Sequence, residues 1–157
     1  MAKMAVWGEA PHETPPTKLY YHRFQFYKNP LRSTQDFSFG QFKFRGYFDF
    51  NLCPQYASSL EEKSSYLTMG IHLCEADVLQ LPQPVRCIIM LVDISGKNGK
   101  DLLIRDQTYS TIDDWAKGAN NTVNLNDIKH MSWKNVQLKD RGKSSRSFLC
   151  KYQLIWC

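Results

Sequence analysis

The chain has no Cys-x-x-Cys pair, no apolar run of membrane-spanning length and no block of like charge. Each absence removes a class of protein. Its five cysteines, Cys53, Cys74, Cys87, Cys150 and Cys157, are odd in number and scattered, which points to a reducing compartment. Cys74 and Cys87 sit in apolar runs of the kind that bury free thiols. Met1 to Lys18 lacks an apolar signal core, so the expected location is the cytosol or nucleus, and the Asn120-Asn-Thr122 sequon is not expected to carry a glycan. Without a long apolar run, no membrane partner is expected. The net charge of +5 is spread along the chain. Lys97-Asn-Gly-Lys100 and Lys139-Asp-Arg-Gly-Lys143 are its basic spots, and their glycines favour solvated turns over phosphate or nucleic-acid contacts.

Catalytic constellations are also scarce. There is no G-x-S-x-G elbow, no phosphate-binding glycine loop and no H-E-x-x-H. His72-Leu-Cys74 is a lone potential ligand pair without a second, so a structural role is preferred to a metal site. Asp113-Asp114 are adjacent carboxylates on one turn, and adjacent side chains seldom converge on a substrate atom. They read as caps of a short helix. The expected protein is therefore no enzyme, with no catalytic residue, metal or cofactor.

What the chain does have is aromatic alternation. In residues 37–50, Phe42, Phe44, Phe48 and Phe50 share one parity with Gly46, against Lys43, Arg45, Tyr47 and Asp49. Successive strand side chains point to opposite faces, so this is a strand with one apolar and one wet face. Gly46 is placed to let it bend or bulge. Lys18–Lys28 alternates His22, Phe24 and Phe26 against Arg23, Gln25 and Tyr27, until Asn29-Pro30 ends it. The Phe-rich run stops at Cys53-Pro54, and residues 57–65 read as a loop. Ser65–Cys74 is the next strand, and Val85–Ile94 is apolar enough to sit centrally in a sheet. Asn98-Gly99 signals a tight hairpin. Short strands follow at 102–104 and 107–112, then a helical turn at 113–118 closed by Gly118 and a second at 124–131 capped by Asn124. Trp133–Leu138 and Ser147–Cys157 close the chain as strands.

About eight strands at short spacing predict an all-β antiparallel sandwich over residues 18–157, preceded by a flexible Pro-containing leader that holds Trp7. A closed barrel is the competing architecture. A sheet studded with aromatics also allows a different function: Tyr47 beside Lys43 and Arg45 is the arrangement that stacks single-stranded nucleic acid. No RNP motif accompanies it, so nucleic acid is disfavoured.

In order along the chain, several segments resemble the MATH (meprin and TRAF homology) domain. Phe37, then Phe48, Phe50 and Pro54, is similar to that family's aromatic followed by W-x-L-x-V-x-P. Ser65–Leu73 resembles its Y-L-S-L-x-L strand, Val85–Lys97 its long central strand, and Tyr109 with Asp114-Trp115 and Gly118 its D-W-G stretch. Phe148–Ile155 resembles its last strand. The resemblance implies a module that binds an extended peptide of another protein by strand addition, with pockets giving selectivity. It also implies a setting, a ubiquitin-ligase adaptor of the speckle-type POZ branch or a TRAF-type assembly. BTB, RING and coiled-coil parts do not fit in 157 residues beside the sandwich, so any oligomer comes from a domain outside this chain. The implied peptide-contacting positions are Gly70, Ile89, Tyr109, Thr111, Asp114, Trp115 and Lys117. Gly70, Thr111 and Lys117 stand where the family has aromatics, and Ile89 where it has Phe. That makes the implied groove shallower and more cationic, suited through Lys117 to an acidic or phosphorylated peptide.

Overall fold

A computed structural model describes residues 17–25, 32–53, 64–135 and 145–157. Trp7 and the rest of residues 1–16, Asn29-Pro30, residues 54–63 and Lys139–Lys143 lie outside them, while Thr17, expected as the end of the leader, opens the first strand. The described elements are β1 (Thr17–Gln25), β2 (Arg32–Phe39), β3 (Phe42–Cys53), β4 (Ser64–Ala76), β5 (Val85–Val92) and β6 (Leu102–Tyr109). They continue as α1 (Ile112–Lys117), β7 (Ala119–Asn124), α2 (Leu125–Ile128), a 3-10 turn (Lys129–Met131), β8 (Trp133–Asn135) and β9 (Ser145–Trp156).

The strands form two antiparallel sheets: β1-β9-β5-β6, with β8 beside the start of β9, and β2-β3-β4-β7. The two sheets face each other as a sandwich, not a closed barrel. β5 lies between β9 and β6, as its unbroken apolar run requires.

The period-2 pattern sets the core. Phe42, Phe44 and Phe48 of β3, Leu67, Met69, Ile71 and Leu73 of β4, and Val85, Cys87, Ile89 and Leu91 of β5 are all buried between the sheets. Phe24, Phe148, Tyr152 and Leu154 meet them from β1 and β9. Each large apolar side chain buried here contributes about 1.5–3 kcal/mol. Gly46 shares the inward parity of β3. A Cβ there would lie 2.5 Å from Cζ of Tyr152, so the glycine makes room for that ring. The irregular register of β3 falls at Lys43/Phe44 instead, not at Gly46.

Several expectations need correction. The Phe-rich run is not one strand: Gly40, at φ 63°, and Gln41 turn β2 back onto β3. The segments expected at 102–104 and 107–112 join into one strand, β6, which ends at Tyr109, while Thr111 and Ile112 belong to the start of α1. The Asn98-Gly99 hairpin is wider than a two-residue turn, with residues 93–101 joining β5 to β6. Cys74 is exposed while Cys87 is buried, because Cys74 has the outward parity of β4. Thr111, not Asp113 or Asp114, caps α1 by accepting from the Asp114 amide at 3.0 Å. Asn124 does cap α2, accepting from the Asn126 amide at 2.8 Å. Among the described residues no helix is long and apolar enough to cross a membrane.

Candidate functional site

Two sheets have four edges, and each exposes backbone groups that invite another strand unless something blunts them. β1 carries Lys18 and Arg23, and β2 carries Arg32 and Asp36. β6 carries Arg105 and Asp106, and its register with β5 shifts at Ile89/Met90. β7 differs. Its sequence Ala-Asn-Asn-Thr-Val-Asn holds no charge and no proline, its register with β4 is unbroken, and no strand among the described residues pairs with its other side.

The surface beside β7 is built from short side chains around one tyrosine. Tyr47 and Gly70 are cross-strand partners on the outer face of β3 and β4, and Asn120 pairs with Gly70 from β7. Because Gly70 has no side chain, the Tyr47 ring lies over it. An added Cβ would meet Tyr47 Oη at 2.5 Å. Asn120 Nδ2 donates to that hydroxyl at 3.0 Å, and the Arg32 guanidinium sits 5.0 Å above the ring while gripping Asp49 at 2.6 and 2.7 Å. Thr68 and Thr122 hydroxyls bond at 2.7 Å across the same face. On the other side of the strand, Asn121 Nδ2 donates to the Ile104 carbonyl of β6 at 3.0 Å. Its Oδ1 accepts the Thr122 amide at 2.9 Å, so one backbone donor of this edge is held by a side chain.

Features continue past both ends of β7. At the Ala119 end, a cleft of about 570 Å³ lies between α1 and the segment after β4, lined by Leu73, Val78, Leu81, Thr111, Ile112 and Ala116. Leu79 projects there at 96 % exposure. At the Asn124 end, α2 and the 3-10 turn lead toward β8.

The implied contact positions divide between surface and core. Gly70 is itself buried, covered by the Tyr47 ring, while Thr111, Asp114 and Lys117 are exposed on or beside α1. Ile89, Tyr109 and Trp115 are 0, 1 and 0 % exposed. They present no surface to a peptide, and this corrects their assignment. Tyr109 stacks on Trp115 with ring centroids 6.1 Å apart, and Trp115 also meets Phe42 and Phe44, because α1 folds this tryptophan down onto β4 and β3. Burial raises the Tyr109 phenol far above its usual range.

The stacking platform read into Tyr47, Lys43 and Arg45 is not available either. Tyr47 is only 9 % exposed, Arg45 pairs with Asp36 at 2.7 Å and Lys43 with Glu75 at 3.4 Å. Sequence reasoning missed β7 altogether. Its one readable signal is the absence of any charge or proline between Gly118 and Asn124.

Compared with known proteins, the chain matches no family model and no curated sequence.

Proposed function

We propose that this chain is a non-enzymatic protein-interaction module that takes an extended segment of a partner protein as a further strand along β7. The single observation that carries the reading is the edge's composition. Among the described edge strands, β7 alone has neither charge, proline nor irregular register, and Asn121 is its one bridge to β6 by a side-chain hydrogen bond among the described residues. Strand addition uses backbone hydrogen bonds for affinity and flanking pockets for selectivity. The outer face with Tyr47 and Asn120 and the cleft beside α1 supply such flanks. An incoming carbonyl would replace Asn121 Oδ1 at the Thr122 amide. The ordered MATH-like motifs support the same reading and add its setting, substrate recognition within a ubiquitin-ligase adaptor or a TRAF-type assembly in the cytosol or nucleus. The partner is an acidic or phosphorylated segment, and neither metal nor cofactor takes part.

The test is selection of linear peptides from a displayed random library on the intact chain. Selected peptides should lose about tenfold in affinity on Thr122→Pro, from the backbone bonds it removes. Thr122→Lys, which adds the missing edge charge, should weaken them as well. If both variants melt like the parent chain and bind the selected peptides equally well, the site is elsewhere.

A further inference from the structure

At the Asn124 end of β7, three cationic side chains and one imidazole from distant parts of the sequence converge. Lys97 comes from the loop after β5, Lys129 and His130 from the 3-10 turn, and Arg146 from the start of β9. With Ser95, Ser132 and Trp133 they line an open pocket of about 540 Å³. No carboxylate is among its described lining residues. Lys97, Lys129 and Arg146 have no ion pair among the described residues, whereas Arg32, Lys43, Arg45, Arg86 and Lys151 all do.

The cluster is held in place. The Ser132 hydroxyl, in a residue only 6 % exposed, donates to the Lys129 carbonyl at 2.6 Å and accepts from Arg146 Nη1 at 3.0 Å. Arg146 Nη1 also reaches that carbonyl at 3.5 Å. One buried hydroxyl therefore anchors both the lysine's turn and the guanidinium, whose other N–H groups remain to donate elsewhere. The Ile94 amide bonds the Met131 carbonyl at 3.0 Å, tying the loop after β5 to the 3-10 turn. In that loop, Asp93 Oδ1 accepts the Ser95 amide at 2.9 Å and Ser95 Oγ accepts the Lys97 amide at 3.2 Å, which sets the path of the backbone under Lys97. Asp93 is the carboxylate that senses His130, and its oxygens are already engaged by Ser95 and the Gly99 amide. Lys97, Lys129 and Arg146 are thus held in place without an ion-pair partner among the described residues, while Asp93 acts on His130.

Like charges brought together without partners are unfavourable unless something of opposite sign joins them. The donors here are a guanidinium, two ammonium groups, an imidazole and a hydroxyl, a set matched to a compact anion with several acceptor oxygens. Trp133 is 46 % exposed at the pocket wall and offers an apolar ring to whatever carries the anion. Lys129 follows Asn124 by only five residues, so the turn that supplies Lys129 and His130 begins close in sequence to the end of β7.

We propose that this pocket is a phosphate site that binds a phosphorylated side chain of the partner protein. The protein source rests on the peptide reading above, while the anion pocket itself does not. It moves the recognition of charge from Lys117 to Arg146, Lys129, His130 and Lys97. The basic loop Lys97–Lys100, which the sequence presents as a solvated turn, becomes one wall of the site.

Calorimetric titration of the whole chain with N-acetyl-phosphotyrosine amide tests it, alongside the unphosphorylated amide, a single-stranded oligonucleotide and phosphatidylserine vesicles. The phosphorylated amide should bind saturably and the unphosphorylated one should not. Arg146→Gln and Lys129→Gln, the second an exposed position with little risk to folding, should each weaken binding about tenfold through loss of a charge-assisted contact. Thr122→Pro should leave this binding unchanged, so failure of the β7 reading is distinguishable. No saturable binding, or equal binding by both charge variants, overturns the site. Saturable binding of the oligonucleotide or the vesicles without binding of the phosphorylated amide overturns the protein source.

Discussion

Gly46→Ala replaces one hydrogen by a methyl group at the centre of the sandwich, and the structure sets what it must displace. The new Cβ would lie 2.5 Å from Cζ, 2.6 Å from Oη and 2.7 Å from Cε2 of Tyr152. Carbon atoms rest about 3.5–4.0 Å apart, so the ring or the strand has to move by about 1 Å. Neither is free to do so. Tyr152 is 0 % exposed on β9, with the Phe37 ring 5.8 Å away, and Gly46 sits in β3 with strands paired on both sides. Interiors are packed at crystal density, and overpacking of this kind costs about 1–3 kcal/mol. The lower chain entropy of unfolded alanine returns about 0.4–1 kcal/mol, leaving a net loss of about 1–2 kcal/mol. For a chain of this size that lowers the melting temperature by about 2–8 °C. Gly70→Ala is a companion case. Its Cβ meets Tyr47 Oη at 2.5 Å and Asn120 Cβ at 2.7 Å, so it should destabilise as well. Urea unfolding followed by tryptophan fluorescence measures both, together with Tyr152→Leu and the Gly46→Ala/Tyr152→Leu pair. Relief of the clash should appear as a coupling energy of about 1 kcal/mol or more in the double variant. Strict additivity, or a Gly46→Ala chain as stable as the parent, would falsify the close-approach explanation.

His22 supplies a pH dependence. It is 2 % exposed, its ring lies 5.0 Å from Phe48 and Nε2 bonds Ser33 Oγ at 2.9 Å, and burial pushes its pKa down to about 4. The folded state keeps it neutral while the unfolded chain takes up the proton. Stability is therefore complete above pH 6.5 and falls as the pH drops from 6.5 toward 4, by about 2–3 kcal/mol at the low end. The carboxylates of Asp36, Asp93 and Asp106 are held below 3.8 and act under that window. Thermal melts between pH 7 and 4 should show the loss in the parent chain and a flatter profile in His22→Phe; equal slopes would reject the assignment. Trp115→Ala should destabilise the fold by about 3–5 kcal/mol, since it empties a fully buried site. Tyr109→Phe should be neutral or stabilising in the same urea assay, because its buried hydroxyl has no hydrogen-bond partner among the described residues. A stable Trp115→Ala chain, or a costly Tyr109→Phe, would contradict their placement in the core.

The strands that were legible are those whose inward face is rich in large apolar residues. Phe42, Phe44 and Phe48 in β3, the odd-numbered positions of β4 and the run of β5 all lie where period-2 reading puts them. β2 was hidden because its apolar positions, Phe37 and Phe39, merged with those of β3 across a turn at Gly40. β7 was hidden for another reason. Asn120, Asn121 and Asn124 have low strand propensity, and the segment is a strand only because β4 pairs with it. The site suffered more. Tyr109 and Trp115 read as contact residues by resemblance, yet their size makes them the filling under α1. Gly70 was read as a contact position, yet it is buried beneath Tyr47, a residue 23 positions earlier by number and adjacent only through the β3–β4 register.

Alternation of apolar and polar side chains is a local property of an extended backbone, and it alone specified an antiparallel sandwich, its central strand and most of its core. Which edge stays open is decided by pairing between segments far apart in the chain, and so is the meeting of Lys97, Lys129, His130 and Arg146 in one pocket. The reason is physical. A side chain's face follows from its neighbours in sequence, but its partners follow from the packing of two sheets, whose contacts join residues with no local relation to one another.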